Sequence, residues 1–124
     1  MKKVLVLDDD HDIAAVVKLV LEMNGFLGEA ITNFRELDDT LFSFNPDVLV
    51  LDISLGGADG RDLCKKLKAN KDLQHIHVIL FSANRDASNH FKEFNAEAFI
   101  PKPFDSKQLI NTIEYILSTP VSMA

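Results

Sequence analysis

Three carboxylates, a hydroxyl and an ammonium group recur at one kind of place in this chain, the end of a short apolar run. Val4-Leu5-Val6-Leu7 ends in Asp8-Asp9, and Val48-Leu49-Val50-Leu51 ends in Asp52. Val78-Ile79-Leu80-Phe81 ends in Ser82, and Ala98-Phe99-Ile100 ends, after Pro101, in Lys102. A carboxylate at the mouth of a buried strand is costly unless something there uses or compensates its charge. Two carboxylates ~5 Å apart repel by about 3 kcal/mol at an effective dielectric near 20. Three in one crevice raise one another's pKa values unless a cation joins them. Hard oxygen donors that leave room for water suit Mg²⁺, which is usually held by one or two carboxylates together with phosphate oxygens. Ser82 and Lys102 add a hydrogen bond and a positive charge. The set is suited to a phosphoryl group, which an aspartate can take up covalently while metal and lysine neutralise its equatorial oxygens.

These residues meet only if the runs are parallel strands of one sheet, and the intervening segments predict that. Ile13, Val16, Val17 and Val20 have helical spacing, and Asn24-Gly25 is a stop signal. Residues 26–30 read as a second strand. Leu37, Leu41 and Phe44 mark a second helix ended by Asn45-Pro46, and its phenylalanines read equally as core or as a partner surface. Gly56-Gly57 and Asp59-Gly60 read as a loop, and Leu63, Cys64 and Leu67 as a third helix with Cys64 in the core. The fourth strand is expected over 76–81, a short fourth helix around Phe91 and Phe94, and the fifth strand over 98–100. Leu109, Ile110, Ile113, Ile116 and Leu117 give an amphipathic last helix that Pro120 helps to end. Strands alternating with helices predict an α/β fold with a parallel sheet, and right-handed crossovers put helices on both faces. A five-stranded doubly wound sheet commonly takes the order 2-1-3-4-5, a flavodoxin-like three-layer sandwich that binds ligands at the carboxyl edge of its strands.

At 124 residues the chain predicts one domain, over 1–118, with a short tail over 119–124. Its 47% hydrophobic and 26% charged residues are ordinary for a soluble protein. The net charge of −6 argues against a nucleic-acid surface. No run approaches the ~18–20 apolar residues of a membrane span, and the first strand starts at once, leaving no room for a signal peptide. A single cysteine, Cys64, can form no internal disulfide, so a reducing, cytoplasmic location is expected.

Asp8-Asp9, Asp52, Ser82 and Lys102-Pro103-Phe104, in this order and spacing, resemble the receiver domain of two-component response regulators, over nearly the whole chain. The resemblance implies that Asp52 is the phosphoacceptor, supplied by a histidine kinase or phosphotransfer protein. It implies that Mg²⁺ is held by Asp9 directly, by Asp8 largely through water, by Asp52 and by the backbone carbonyl of Ser54. Ser82 and Lys102 would bind the phosphoryl group, Phe99 would be the aromatic switch, and Lys102-Pro103 would be a cis peptide. Ser54 and Asn84 would flank the path of the hydrolytic water, so that Asn84 modulates the lifetime of the phosphoryl state. The output would be a downstream protein target reached through a distal helical face. A homodimer remains open, and the chain would be no enzyme beyond its own phosphotransfer and dephosphorylation. The chain departs from the family at Gly56, where many receivers have proline, at Asn95, where glycine is frequent, and in the 20 positions from Ser82 to Lys102 (102 − 82), a shortfall that falls on the fourth helix.

Other readings compete. Asp10 and Asp12 read as helix-start residues, His11 as solvated, and His75 with His77 as a surface pair. A haloacid-dehalogenase-type phosphohydrolase would need an acid two positions after its nucleophile, where Ser54 stands. A receiver-like binding module without phosphorylation would not need the site residues. A flavin or nucleotide binder would need a glycine-rich loop after the first strand.

Overall fold

Val48–Asp52 forms the central strand because four consecutive apolar residues, with β-branched valines among them, can be covered on both sides only inside a parallel sheet. In the computed structural model, which describes residues 1–118, that strand (β3) is flanked by β1 (Lys3–Leu7) and β4 (His77–Ser82). Outside them lie β2 (Leu27–Ile31) and β5 (Ala98–Pro101), giving the parallel order β2-β1-β3-β4-β5. The sequence-based order is borne out. The expected tail over 119–124, and Pro120 with it, lie outside the described residues.

Strand side chains alternate between two cores. Leu5, Leu7, Leu49, Leu51 and Leu80 point to one side and pack under α2 (Leu37–Phe44) and α3 (Gly60–Ala69). Val4, Val6, Val48, Val50, Ile79 and Phe81 point to the other, under α1 (His11–Met23) and α4 (Ser106–Leu117). Three layers result. Cys64 is fully buried in the first core, as expected, and sits 3.2 Å from the Phe94 carbonyl.

The connections follow local chemistry. Asp10, Asp59 and Asp105 cap α1, α3 and α4 by accepting backbone N–H bonds in the first turn. Asp10 thus has the helix-start role read from the sequence, whereas Gly60 belongs to the helix rather than to the preceding loop. Asn45 (φ 52°) and Asn95 (φ 64°) take the left-handed conformation at the ends of α2 and of the turn before β5. Pro101 ends the edge strand, where no donor is needed. The Lys102–Pro103 bond is cis.

Two expectations change. The fourth helix does not form: two 3₁₀ turns, Arg85–Asn89 and Phe91–Phe94, stand in its place. Asn84, Asp86 and Asn89 favour side-chain-to-backbone bonds over helix continuation. Phe91 and Phe94 are spaced by three, the period that eclipses side chains in a 3₁₀ turn. His77, expected at the surface, is buried instead, while His75 is exposed. His77 Nδ1 lies 3.4 Å from Glu97 Oε2, and the same oxygen is 2.7 Å from Lys68 Nζ. Lys68 also donates to the Ile76 carbonyl at 2.7 Å, and Glu97 Oε1 accepts the Val78 N–H at 2.9 Å. This buried trio ties α3 to the amino ends of β4 and β5.

Candidate functional site

At the opposite, carboxyl edge of the sheet, neighbouring strands in parallel register deliver their last residues to one crevice. β1 is followed by Asp8, β3 ends in Asp52, β4 ends in Ser82, and Lys102 follows β5. The cavity there, about 440 Å³, is lined by Asp8, Asp9, Asp52, Ser54, Ser82, Asn84 and Lys102. Seven of the eight residues singled out from the sequence are thereby brought together. The eighth, Phe99, is half-buried in β5, packed against the α2/α3 core and outside the cavity lining. Asp10, Ile13 and Ala83 also line the cavity and were not read as site residues. Ile13 reaches the rim from the first turn of α1, where its N–H bonds to the capping Asp10.

Each acid is held differently. Asp8 is fully buried, and its Oδ1 accepts the Asp10 N–H at 2.9 Å. Asp52 is almost as buried and accepts the Ser54 N–H at 3.3 Å. Asp9 is exposed at the rim. One carboxylate oxygen from each of the three lies within 4.8 Å of the others. Lys102 reaches into this group, its Nζ 2.9 Å from Asp8 Oδ2 and 3.3 Å from Asp52 Oδ2. The ammonium also stands 4.6 Å from the centre of the Phe81 ring, a cation–π contact the sequence did not disclose. Ser82 Oγ accepts the Asn84 N–H at 3.0 Å, and Asn84 Oδ1 caps the following turn at the Asp86 N–H, also 3.0 Å.

Burial, and then the charge of Asp8, push the Asp52 carboxyl up to about 6, against the opposing pull of Lys102. Burial works against the Lys102 ammonium as well, but Asp8 and Asp52 more than offset it and hold its pKa above the ordinary value. Three convergent hard oxygens, one of them on an acid whose ionisation is resisted by its surroundings, are a donor set that fits a divalent cation.

The loop from β3 into α3 is shaped by two close approaches. Gly56 (φ 62°) is in the left-handed region, and a Cβ there would come 3.3 Å from Asp9 Oδ2. Gly60 donates its N–H to the Ile53 carbonyl at 2.8 Å, and a Cβ on it would run into the carbonyl of Asp52. Glycine at 56 thus leaves the acid rim open, and glycine at 60 lets α3 start directly beneath Asp52.

Comparison with known proteins gives the same picture. The model of the response regulator receiver domain matches residues 4–114. The chain is 27% identical over 118 residues to the phosphate regulon transcriptional regulatory protein PhoB of Pseudomonas aeruginosa, a match covering 94% of this chain and 52% of that protein. The response regulator MprA of Mycolicibacterium vanbaalenii is 28% identical over 93% of this chain and 50% of its own length. The chain thus spans about half the length of these curated relatives. Among solved structures, a receiver domain of a signal transduction histidine kinase from Syntrophus aciditrophicus superposes with a TM-score of 0.84 at 30% identity, covering 95% of this chain and 91% of that one. A response regulator from Chloroflexus aurantiacus does so with a TM-score of 0.88 at 25% identity, covering 95% and 98%. Fold, sheet-edge acid cluster and family match agree: the chain belongs to the response regulator receiver domain family.

Proposed function

We propose that this receiver takes up a phosphoryl group on Asp52 from a histidine kinase or phosphotransfer protein and passes the resulting change to a downstream protein. The observation that carries the reading is the convergence of Asp8, Asp9 and Lys102 on the buried carboxylate of Asp52. Asp52 Oδ attacks the incoming phosphorus, and the donor leaves with the bond electrons. Asp8, Asp9, Asp52 and the Ser54 carbonyl are the residues that would hold Mg²⁺, which supplies charge neutralisation for the phosphoryl oxygens. Ser82 donates its hydroxyl hydrogen to one phosphoryl oxygen, and Lys102 turns from Asp8 and Asp52 to pair with another. Phe99 lies on β5, the strand that leads to Lys102, and in this reading it turns when Lys102 and Ser82 move. The change is a shift between two populated states driven by contacts that only the phosphorylated form makes.

The test is labelling by acetyl phosphate or phosphoramidate with Mg²⁺ present. A stoichiometric acid-stable, base-labile adduct on Asp52 is expected. A parallel Mg²⁺ titration by NMR should move the amides of Asp8, Asp9, Asp52 and Ser54 first, and perturbation centred on His75 and His77 would overturn the assignment.

A further inference from the structure

Away from the acid crevice, a second cavity of about 450 Å³ opens between α2 and α3. Its floor is made of Leu37, Leu41, Leu63, Leu67 and Leu73. Its lips are opposite in net sign. The α2 lip carries Asp38, with exposed Glu36 and Asp39 close by, against one cation, Arg35, which lies over the Phe34 ring; the α3 lip carries Lys66 and exposed Lys65 against one acid, Asp62. No ion pair joins the two lips among the described residues. One turn after Asp38 on the same helix stands Phe42, 60% exposed, an aromatic side chain left in water beside a leucine-floored cleft.

An acidic lip with a protruding aromatic, alongside an apolar cleft with a basic far lip, is complementary to a copy of itself. A two-fold interface needs that property, since every contact made by one subunit is returned by the other. We infer that this face is a homodimer interface in which the α2 lip of each copy enters the α2/α3 cleft of the other, Phe42 filling the leucine floor and Asp38 meeting Lys66. The site is distinct from the acid crevice and does not depend on phosphorylation at Asp52. It touches the crevice's loop at one point: a Cβ on Gly57 would come 3.3 Å from the Phe34 ring, and Phe34 walls the cleft.

The experiment is sedimentation equilibrium of the whole chain from about 10 µM to about 1 mM, without phosphodonor. The parent should show a concentration-dependent dimer. Phe42→Ala should weaken it at least about thirtyfold, as loss of a central aromatic anchor does. Asp38→Lys and Lys66→Asp should each weaken it about tenfold by setting like charges face to face, and the Asp38→Lys/Lys66→Asp double variant should recover the parent's affinity. All three positions are at the surface, and circular dichroism checks that each variant is folded. A parent that is monomeric throughout, a dimer indifferent to Phe42→Ala, or a double variant no better than either single one overturns the inference.

Discussion

Lys102 Nζ lies 2.9 Å from Asp8 Oδ2, closer than its 3.3 Å to the proposed acceptor Asp52. The lysine therefore serves in this state as the counter-ion of a fully buried acid, and the proposed function requires it to leave that acid for the phosphoryl group. A divalent cation bound by the same carboxylates would compete with it for them.

Lys102→Ala separates these roles. Mg²⁺ affinity at pH 8 should rise, since a competing cation is gone, while labelling of Asp52 slows by about a hundredfold through lost stabilisation of the transferring group. Shifts at Phe99 on phosphorylation should shrink. NMR titration and a labelling time course read all three, and an unchanged Phe99 response would remove Lys102 from the switch.

Asp52→Asn should abolish labelling, because the amide is a far poorer nucleophile, and should also stabilise the fold. The acid's ordinary value is 3.8 and its folded value about 6, so the folded state holds the extra proton between those two pH values. Stability from this group is therefore fully present below pH ~3.8 and declines as pH rises to about 6. Removing the charge should add about 1–3 kcal/mol at pH 7. Urea denaturation of parent and variant at pH 5 and 7 measures it, and the gain should be smaller at pH 5.

The buried Lys68–Glu97–His77 trio behaves in the opposite sense. Burial would raise the Glu97 carboxyl, yet the close approach of His77 and hydrogen bonds from Lys68 and the Val78 N–H hold it below its ordinary value of 4.5. Its contribution is present above pH 4.5 and is lost as pH falls through the depressed folded value. Glu97→Leu leaves Lys68 buried without an anion and should cost about 3–5 kcal/mol. Adding Lys68→Met should recover most of that. Denaturation midpoints of the single and double variants check this, and equal midpoints would mean that the two side chains are not coupled.

The lifetime of the phosphoryl state should be short. Ser54 and Asn84 are exposed and line the crevice, so neither shields Asp52 from water. Asn84 Oδ1 is engaged with the Asp86 N–H, which leaves its amide NH₂ to orient an incoming water. Ser54→Met should slow loss of aspartyl phosphate severalfold without preventing labelling. Asn84→Ala should do the same while also loosening the Arg85–Asn89 turn. Decay after removal of donor, with Mg²⁺ present, gives both rates, and a parent that keeps its label for many hours would contradict the account.

The strands and their polar endings were legible because both are local: an apolar run and the residue that stops it are contiguous. The crossovers then make the strands parallel, whereas the order 2-1-3-4-5 was the common one for this class of sheet rather than something the residues dictate. The caps at Asp10 and the left-handed turn at Asn95 were equally legible from one or two side chains. The segment 83–95 was not, since its two phenylalanines suit a helix or a 3₁₀ turn alike, and the capping residues around them decide. The burial of His77 was hidden for another reason. Its partner Glu97 is 20 positions away, just before β5, and Lys68, which shares that carboxylate, is on α3; no pattern within β4 announces either. The cation–π contact of Lys102 with Phe81 joins two adjacent strands and appears only once their register is fixed.

Gly60 has a consequence for heredity. With α3 beginning against the carbonyl of Asp52, a library randomised at this codon and sorted for phosphorylation should return a single letter, while its neighbour Arg61 varies. Descendants of this chain can redraw their surfaces, but they inherit this one hydrogen atom unchanged.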